Sequence, residues 1–314
     1  MVGKSAAMLE SLIIRNYDMQ DLRSFFFDET DRAIIYPRLR KLGFYNDDRF
    51  RGEEKFRVNK EISVFPVLRS LKWQSEYIFD DDTLFRGNSD TLKKLDIELG
   101  KDLVQVLQRY SVFSNGRYSQ LCHVSTQDAG INSTMRISAN EHVRLGVSLI
   151  VPETKFFSFS GYRLSDLEII SESPYLENIQ VLRLTEAEVS LKSLFGLVKL
   201  LPNVTKLAFS PVIMDMIPTG DQFERVVFNL YNQYYPLSHH LRHWEYLGEF
   251  TEGGGISVLY NLLAIVTVCP SFVSAFIPSN YKKGLERSVK GTAKRGLYNK
   301  HIIGKVQRIV RNMS

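Results

Sequence analysis

Cysteine is nearly missing from this chain: Cys122 and Cys269 are the only two in 314 residues. A chain this long with two thiols is not a disulfide scaffold, and both lie in apolar phrases where a small buried residue would serve. Such sparing use points to a reducing compartment, cytoplasmic or nuclear. Proline numbers ten and glycine nineteen, which excludes a proline-rich or glycine-rich low-complexity chain. The first residues do not read as a signal peptide, because Glu10, Ser11 and Arg15 interrupt any apolar stretch. Acid is scarce at the far end. From Lys282 to Ser314 there are ten Lys/Arg and one carboxylate, Glu286, a balance of +9; with +5 for the whole chain, the remainder carries −4.

Catalytic signatures are missing as well. Gly3-Lys4-Ser5 lacks the earlier glycine and the strand of a phosphate loop. His239, His240 and His243 lack a third ligand at metal-binding spacing. Asp80-Asp81-Asp82 reads as a solvated turn and helix cap, and Gly253-Gly254-Gly255 has no strand before it. No Ser/His/Asp or Cys/His arrangement shows in the spacing. The sequence nominates no enzyme, no metal site and no cofactor.

What is present is one phrase, repeated. A large apolar residue, often followed by Pro, precedes Leu, two variable residues, Leu, one variable residue and another large apolar side chain. It runs Tyr36-Pro37-Arg38-Leu39-Arg40-Lys41-Leu42-Gly43-Phe44, then Phe65-Pro66-Val67-Leu68-Arg69-Ser70-Leu71-Lys72-Trp73, then Leu201-Pro202-Asn203-Val204-Thr205-Lys206-Leu207-Ala208-Phe209. The first apolar residue of successive copies falls at Leu9, Leu39, Leu68, Leu92, Leu121, Phe156, Ile179, Val204, Leu241 and Phe272. On a strand the second Leu and the last apolar residue point inward, and the residues around them point outward. Between copies the apolar period lengthens toward that of a helix, over 98–110, 186–201, 222–231 and 256–268. Strand, turn and helix in alternation predict an α/β solenoid with a parallel sheet.

These phrases resemble the leucine-rich-repeat proteins, in particular the irregular, F-box-associated type; Phe65 to Trp73 and Tyr36 to Phe44 carry the likeness most clearly. The resemblance spans about Leu9 to Phe276. It implies a solenoid over residues 1–278 with the parallel sheet on the concave face; the charge and apolar spacing of 279–314 read separately as a basic helical cap or tail. It also implies protein–protein recognition, with a role in substrate selection for ubiquitin transfer and ubiquitin-ligase components as partners. Regular members carry an Asn that ties successive turns together, whereas this chain has Asp47, Glu76, Gly100, Ala187 and Val212 there. An F-box would need residues ahead of Leu9, where the first phrase begins.

The predicted binding stripe consists of outward strand positions: Lys41, Gly43, Ser70, Lys72, Lys94, Asp96, His123, Ser125, Arg183, Lys206, Ala208, His243 and Glu245. Its mainly basic character predicts an acidic protein partner. Two alternatives remain. The uncharged run 253–281 could anchor the chain in a membrane, although a buried helix of about thirteen residues followed by a strand explains it equally. The basic tail could bind nucleic acid or anionic lipid.

Overall fold

A computed structural model describes residues 5–15, 19–45, 55–75, 77–110, 112–113, 118–128, 139–160, 173–185, 191–209, 220–247, 254–294 and 300–313. It forms two compact units, Met1–Lys155 and Phe156–Ser314. The first contains β1 (Ser11–Arg15), α1 (Met19–Phe26), β2 (Lys41–Tyr45), β3 (Ser70–Gln74), β4 (Lys94–Leu99), α2 (Lys101–Arg109), β5 (His123–Asp128) and α3 (Ala139–Ser148). The second contains β6 (Phe156–Ser160), β7 (Val181–Thr185), α4 (Leu191–Lys199), β8 (Lys206–Phe209), α5 (Gly220–Tyr234) and β9 (His243–Tyr246). It continues through α6 (Gly254–Val268), β10 (Ser274–Phe276), α7 (Lys282–Lys294) and α8 (Lys300–Arg311). Within each unit the strands pair in chain order and every described pairing is parallel. The α/β class and the parallel sheet are therefore as the phrase predicts.

Five of the ten strands, β2, β3, β6, β8 and β10, are reached by the same device. The residue before Pro is buried (Tyr36, Phe65, Val151, Leu201, Cys269), and its carbonyl accepts the amide three residues on. Those bonds are Leu39 to Tyr36 and Leu68 to Phe65 at 3.3 Å, Thr154 to Val151 at 2.9 Å, Val204 to Leu201 at 3.1 Å and Phe272 to Cys269 at 3.2 Å. Proline fits because its fixed φ suits the second position of such a turn. Just past the turn, one carbonyl accepts two amides from the next strand's lead-in. Arg40 O takes Arg69 and Ser70 N–H, Arg69 O takes Lys93 and Lys94, and Lys93 O takes Cys122 and His123. Gln180, Thr205 and Arg242 repeat this in the second unit.

The sixth copy corrects the sequence phasing. Phe156 opens β6 instead of closing the turn, and the turn position belongs to Thr154, fully buried. Its hydroxyl substitutes for leucine by bonding: it accepts the Val151 amide at 3.0 Å and donates to Leu121 O at 3.1 Å. Val151-Pro152 is the local signal that would have fixed this register. Thr126, also fully buried, offers the opposite case, since its Oγ1 has no hydrogen-bond partner among the described residues. Thr154→Val is expected to destabilise by about 1–3 kcal/mol, and Thr126→Val to be neutral or stabilising by about 1 kcal/mol. Urea unfolding of the two variants side by side measures the contrast.

The inward strand positions form two continuous rows in the first unit. Leu12, Leu42, Leu71, Leu95 and Val124 align, as do Ile14, Phe44, Trp73, Ile97 and Thr126. The second unit repeats them with Phe157, Leu182, Leu207, Trp244 and Ala275. Aromatics dominate the first core: Phe44 stacks on Trp73 at 4.2 Å between ring centroids, and Phe26 meets Phe79 edge-on at 5.0 Å.

Several boundaries move. Glu98 and Leu99 belong to β4, because period-two burial persists through Leu99 and Gly100 then caps α2. Of the five positions where regular repeats carry Asn, Gly100 alone is among the described residues. The run 253–281 divides into α6, a turn at Cys269-Pro270, and β10, which is the helix-then-strand reading. Among the described residues no helix is long and apolar enough to cross a membrane. Among the described residues of 279–314 are α7 and α8, which pack on each other and on α6. Leu285, Val289, Ile303, Val306, Ile309 and Val310 are buried there. Both thiols are free; Cys269 is buried, with burial pushing its pKa up to about 12, while Cys122 is only half-buried, against expectation.

Candidate functional site: the open face of the strands

Because side chains alternate across a strand, pinning Leu71 and Trp73 inward turns Ser70, Lys72 and Gln74 outward. The parallel register then aligns the outward residues of neighbouring strands. In the first unit one row reads Ser11, Lys41, Ser70, Lys94, His123, and the next reads Ile13, Gly43, Lys72, Asp96, Ser125. In the second unit the rows are Phe156, Val181, Lys206, His243, Ser274 and Ser158, Arg183, Ala208, Glu245, Phe276. Every residue of the predicted stripe occupies such an outward position, and within each unit the register brings them side by side.

Their surroundings differ. Lys72 Nζ pairs with Asp96 at 3.2 Å and lies 5.3 Å from the centre of the Tyr45 ring. The Arg15 guanidinium lies 5.2 Å from the same ring, so Tyr45 has two cations beside it. Gly43 makes room for this arrangement: a Cβ there would sit 3.0 Å from the Tyr45 ring edge and 3.5 Å from Ile13. Gln127 Nε2 donates to Asp96 Oδ1 at 3.4 Å. In the second unit Lys206 pairs with Glu245 at 2.5 Å, and His243 Nδ1 shares a 2.7 Å hydrogen bond with Ser274 Oγ. Arg183 has no ion pair among the described residues. Ala208 and Ser158 are buried. They are small residues lying between larger ones on the rows, so the stripe is less exposed there than the sequence suggests. The apolar Ile13 and Phe276, by contrast, are 59% and 62% exposed on the same rows.

Sequence reasoning missed a rim of cations. Arg40, Arg69 and Lys93 are the first variable residues of their phrases, directly before the strands, and their carbonyls are the double acceptors described above. With Arg38, Lys41 and Lys94 they are six exposed cations on one edge of the first unit. None forms an ion pair among the described residues; Glu10 and Asp90 are exposed acids close to them in the chain. The signal is in the phrase itself, L-[RK]-x-L, whose first variable residue precedes the strand and so falls outside its alternation.

The candidate chemistry resolves into structure. Asp80 pairs with Arg57 at 2.6 Å, Asp81 with Arg86 at 2.7 Å and Asp82 with Arg86 at 2.9 Å. Asp81 is buried and no helix follows it, so the expected solvated helix cap is an arginine-held turn. A cavity of about 480 Å³ beside it is lined by Arg57, Lys60, Asp80, Asp81, Arg109 and Tyr110, and contains no nucleophile–base pair. His239 and His240 are exposed, and no His/Cys/Asp/Glu group suited to a metal ion occurs among the described residues. No protein-family model and no curated protein matches the chain.

Proposed function

We propose that the chain is a leucine-rich-repeat solenoid that binds another protein, non-enzymatically, through the open face of its strands, with an acidic partner segment engaging the first unit. The observation that carries this reading is the unpaired cationic rim, Arg38, Arg40, Lys41, Arg69, Lys93 and Lys94, bordering the aligned outward rows. A fixed array of one sign steers and selects a partner of the other sign. Lys72, Asp96 and Tyr45 adjoin the rim and supply hydrogen-bonding and ring surface, while Ile13 supplies an exposed apolar contact. Resemblance to F-box-associated repeat proteins makes substrate selection for ubiquitin transfer the role to test. Two free thiols suit a reducing compartment such as cytoplasm or nucleus.

The test is comparative affinity purification of the wild-type chain and an Arg40→Glu/Arg69→Glu/Lys94→Glu variant, followed by titration of each recovered partner. These side chains are exposed, so folding should change by no more than about 0.5 kcal/mol per site. An acidic partner held by the wild type should weaken at least about tenfold in the variant, mostly through slower association at low salt. Equal binding by both proteins would refute the rim as the recognition surface. A ubiquitin-ligase subunit among the lost partners would support the adaptor role.

A further inference from the structure

The basic C-terminal segment is not absorbed by the proposed function. Its apolar side packs between the two helices and against α6, with Ile302 half-buried, so the capping role needs only that side. The opposite side is more basic than a cap requires. Lys283, Arg287 and Lys290 follow one another at i, i+4 and i+7 on α7, and Lys300, Arg308 and Arg311 share one face of α8. All six are exposed, and none has an ion-pair partner among the described residues. Neither helix has an acid in its first turn. Both begin with cations instead, Lys282 and Lys283 on α7 and Lys300 on α8, against the preference set by the helix dipole. Lys282 is explained by its 2.5 Å hydrogen bond to Met313 O, and Lys305 by its 2.9 Å bond to Pro270 O. The other six have no structural employment.

We infer that the exposed face of α7 and α8 is a binding site for the phosphodiester backbone of double-stranded nucleic acid. Two ordered helices holding like charges in rows, with positive helix ends among them, suit a regular polyanion. A lipid surface fits less well. Insertion needs exposed apolar side chains beside the cations, and the large apolar residues of both described helices are turned into the packing. No aromatic side chain is exposed on the described part of either helix for base stacking, so binding is to backbone and not to sequence.

The experiment uses the full chain and a Lys283→Glu/Arg287→Glu/Lys290→Glu variant, titrated into labelled duplex DNA and duplex RNA between 50 and 200 mM salt (about the range where phosphate contacts dominate). With six contacts the wild type should show a slope of log affinity against log salt of about −5. The variant should bind about tenfold or more weakly at the lowest salt, with a slope shallower by about 3. Circular dichroism checks its fold; should it misfold, the neutral variant Lys300→Gln/Arg308→Gln/Arg311→Gln gives the same readout. The Arg40→Glu/Arg69→Glu/Lys94→Glu variant separates the two readings, because it should retain duplex binding within about twofold if the helices are the site. The inference is overturned if wild type and helix variant bind alike, or if only the strand-face variant loses binding. It is also overturned if the wild type ignores duplexes while adsorbing to phosphatidylserine vesicles.

Discussion

Replacing Trp73 with Ala is expected to destabilise the first unit by about 3–5 kcal/mol, the range for removing a buried aromatic that leaves a cavity. The side chain is 1% exposed and its neighbours are rings: Phe44 stacked at 4.2 Å, Tyr77 at 6.0 Å and Phe79 at 6.4 Å. None can swing into the vacated space without losing its own partner, because Phe44 and Phe79 are both held by Phe26. Trp73→Phe keeps the stack and should lose roughly half as much. The damage should also be local. In a repeat array each strand is held chiefly by its neighbours, so amide exchange in β2, β3 and β4 should accelerate before exchange in β5. Denaturant unfolding gives the magnitude, and native-state hydrogen exchange gives its distribution. Uniform acceleration through β5 would argue against nearest-neighbour logic. The open face should feel it as well, since Lys72 is the outward neighbour of Trp73 and its pairing with Asp96 depends on β3 keeping its register.

Trp73 also shows why the strands were legible in the sequence. Its phrase contains three independent constraints: a proline turn, a leucine closing it, and alternation that leaves one face apolar. Where all three coincide, as at Tyr36 and Phe65, or where valine stands in for the leucine, as at Leu201, strand, register and outward residues all follow from the letters. Where one constraint is replaced by a different interaction, the reading slips. Thr154 occupies a leucine's place because hydrogen bonds stand in for apolar burial, and a search for leucine moves the copy to Phe156. Glu98 and Leu99 look helical beside the α2 sequence, and only the ladder from β4 to β5 shows that they continue the strand. The binding stripe was legible as outward positions but not as an environment. That Lys206 is tied to Glu245 while Arg40 and Arg69 are free depends on which side chains cross-strand register brings together. The rim was missed for the same reason, since Arg40, Arg69 and Lys93 become one surface only when three turns are stacked.

Arg86 should be the most sensitive charged residue of the described chain. Its guanidinium, 16% exposed, bonds to Asp81 at 2.7 Å, to Asp82 at 2.9 Å and to the carbonyl of Asn59 at 2.9 Å. It thereby ties the segment leading into β3 to the turn that follows it. Asp81 lies deeper still: its side chain is 5% exposed, and its Oδ1 accepts the Thr83 amide at 3.0 Å. Removing the arginine leaves a buried carboxylate without its counter-charge, so Arg86→Ala is expected to lose about 3–5 kcal/mol. Asp81→Asn keeps most of the turn's hydrogen bonds and should lose less. The double variant Arg86→Ala/Asp81→Asn should recover part of the Arg86→Ala loss, because the deeply buried charge is then gone and only the more exposed Asp82 is left unpaired. Thermal or urea unfolding of the four proteins closes the cycle. A double variant as unstable as the sum of its parts would mean that the two residues act separately. The same proteins address the carboxylate triplet as a cation site. With each aspartate already held by an arginine, millimolar calcium should leave the wild-type melting temperature unchanged, whereas a site with free carboxylates would be stabilised by mass action.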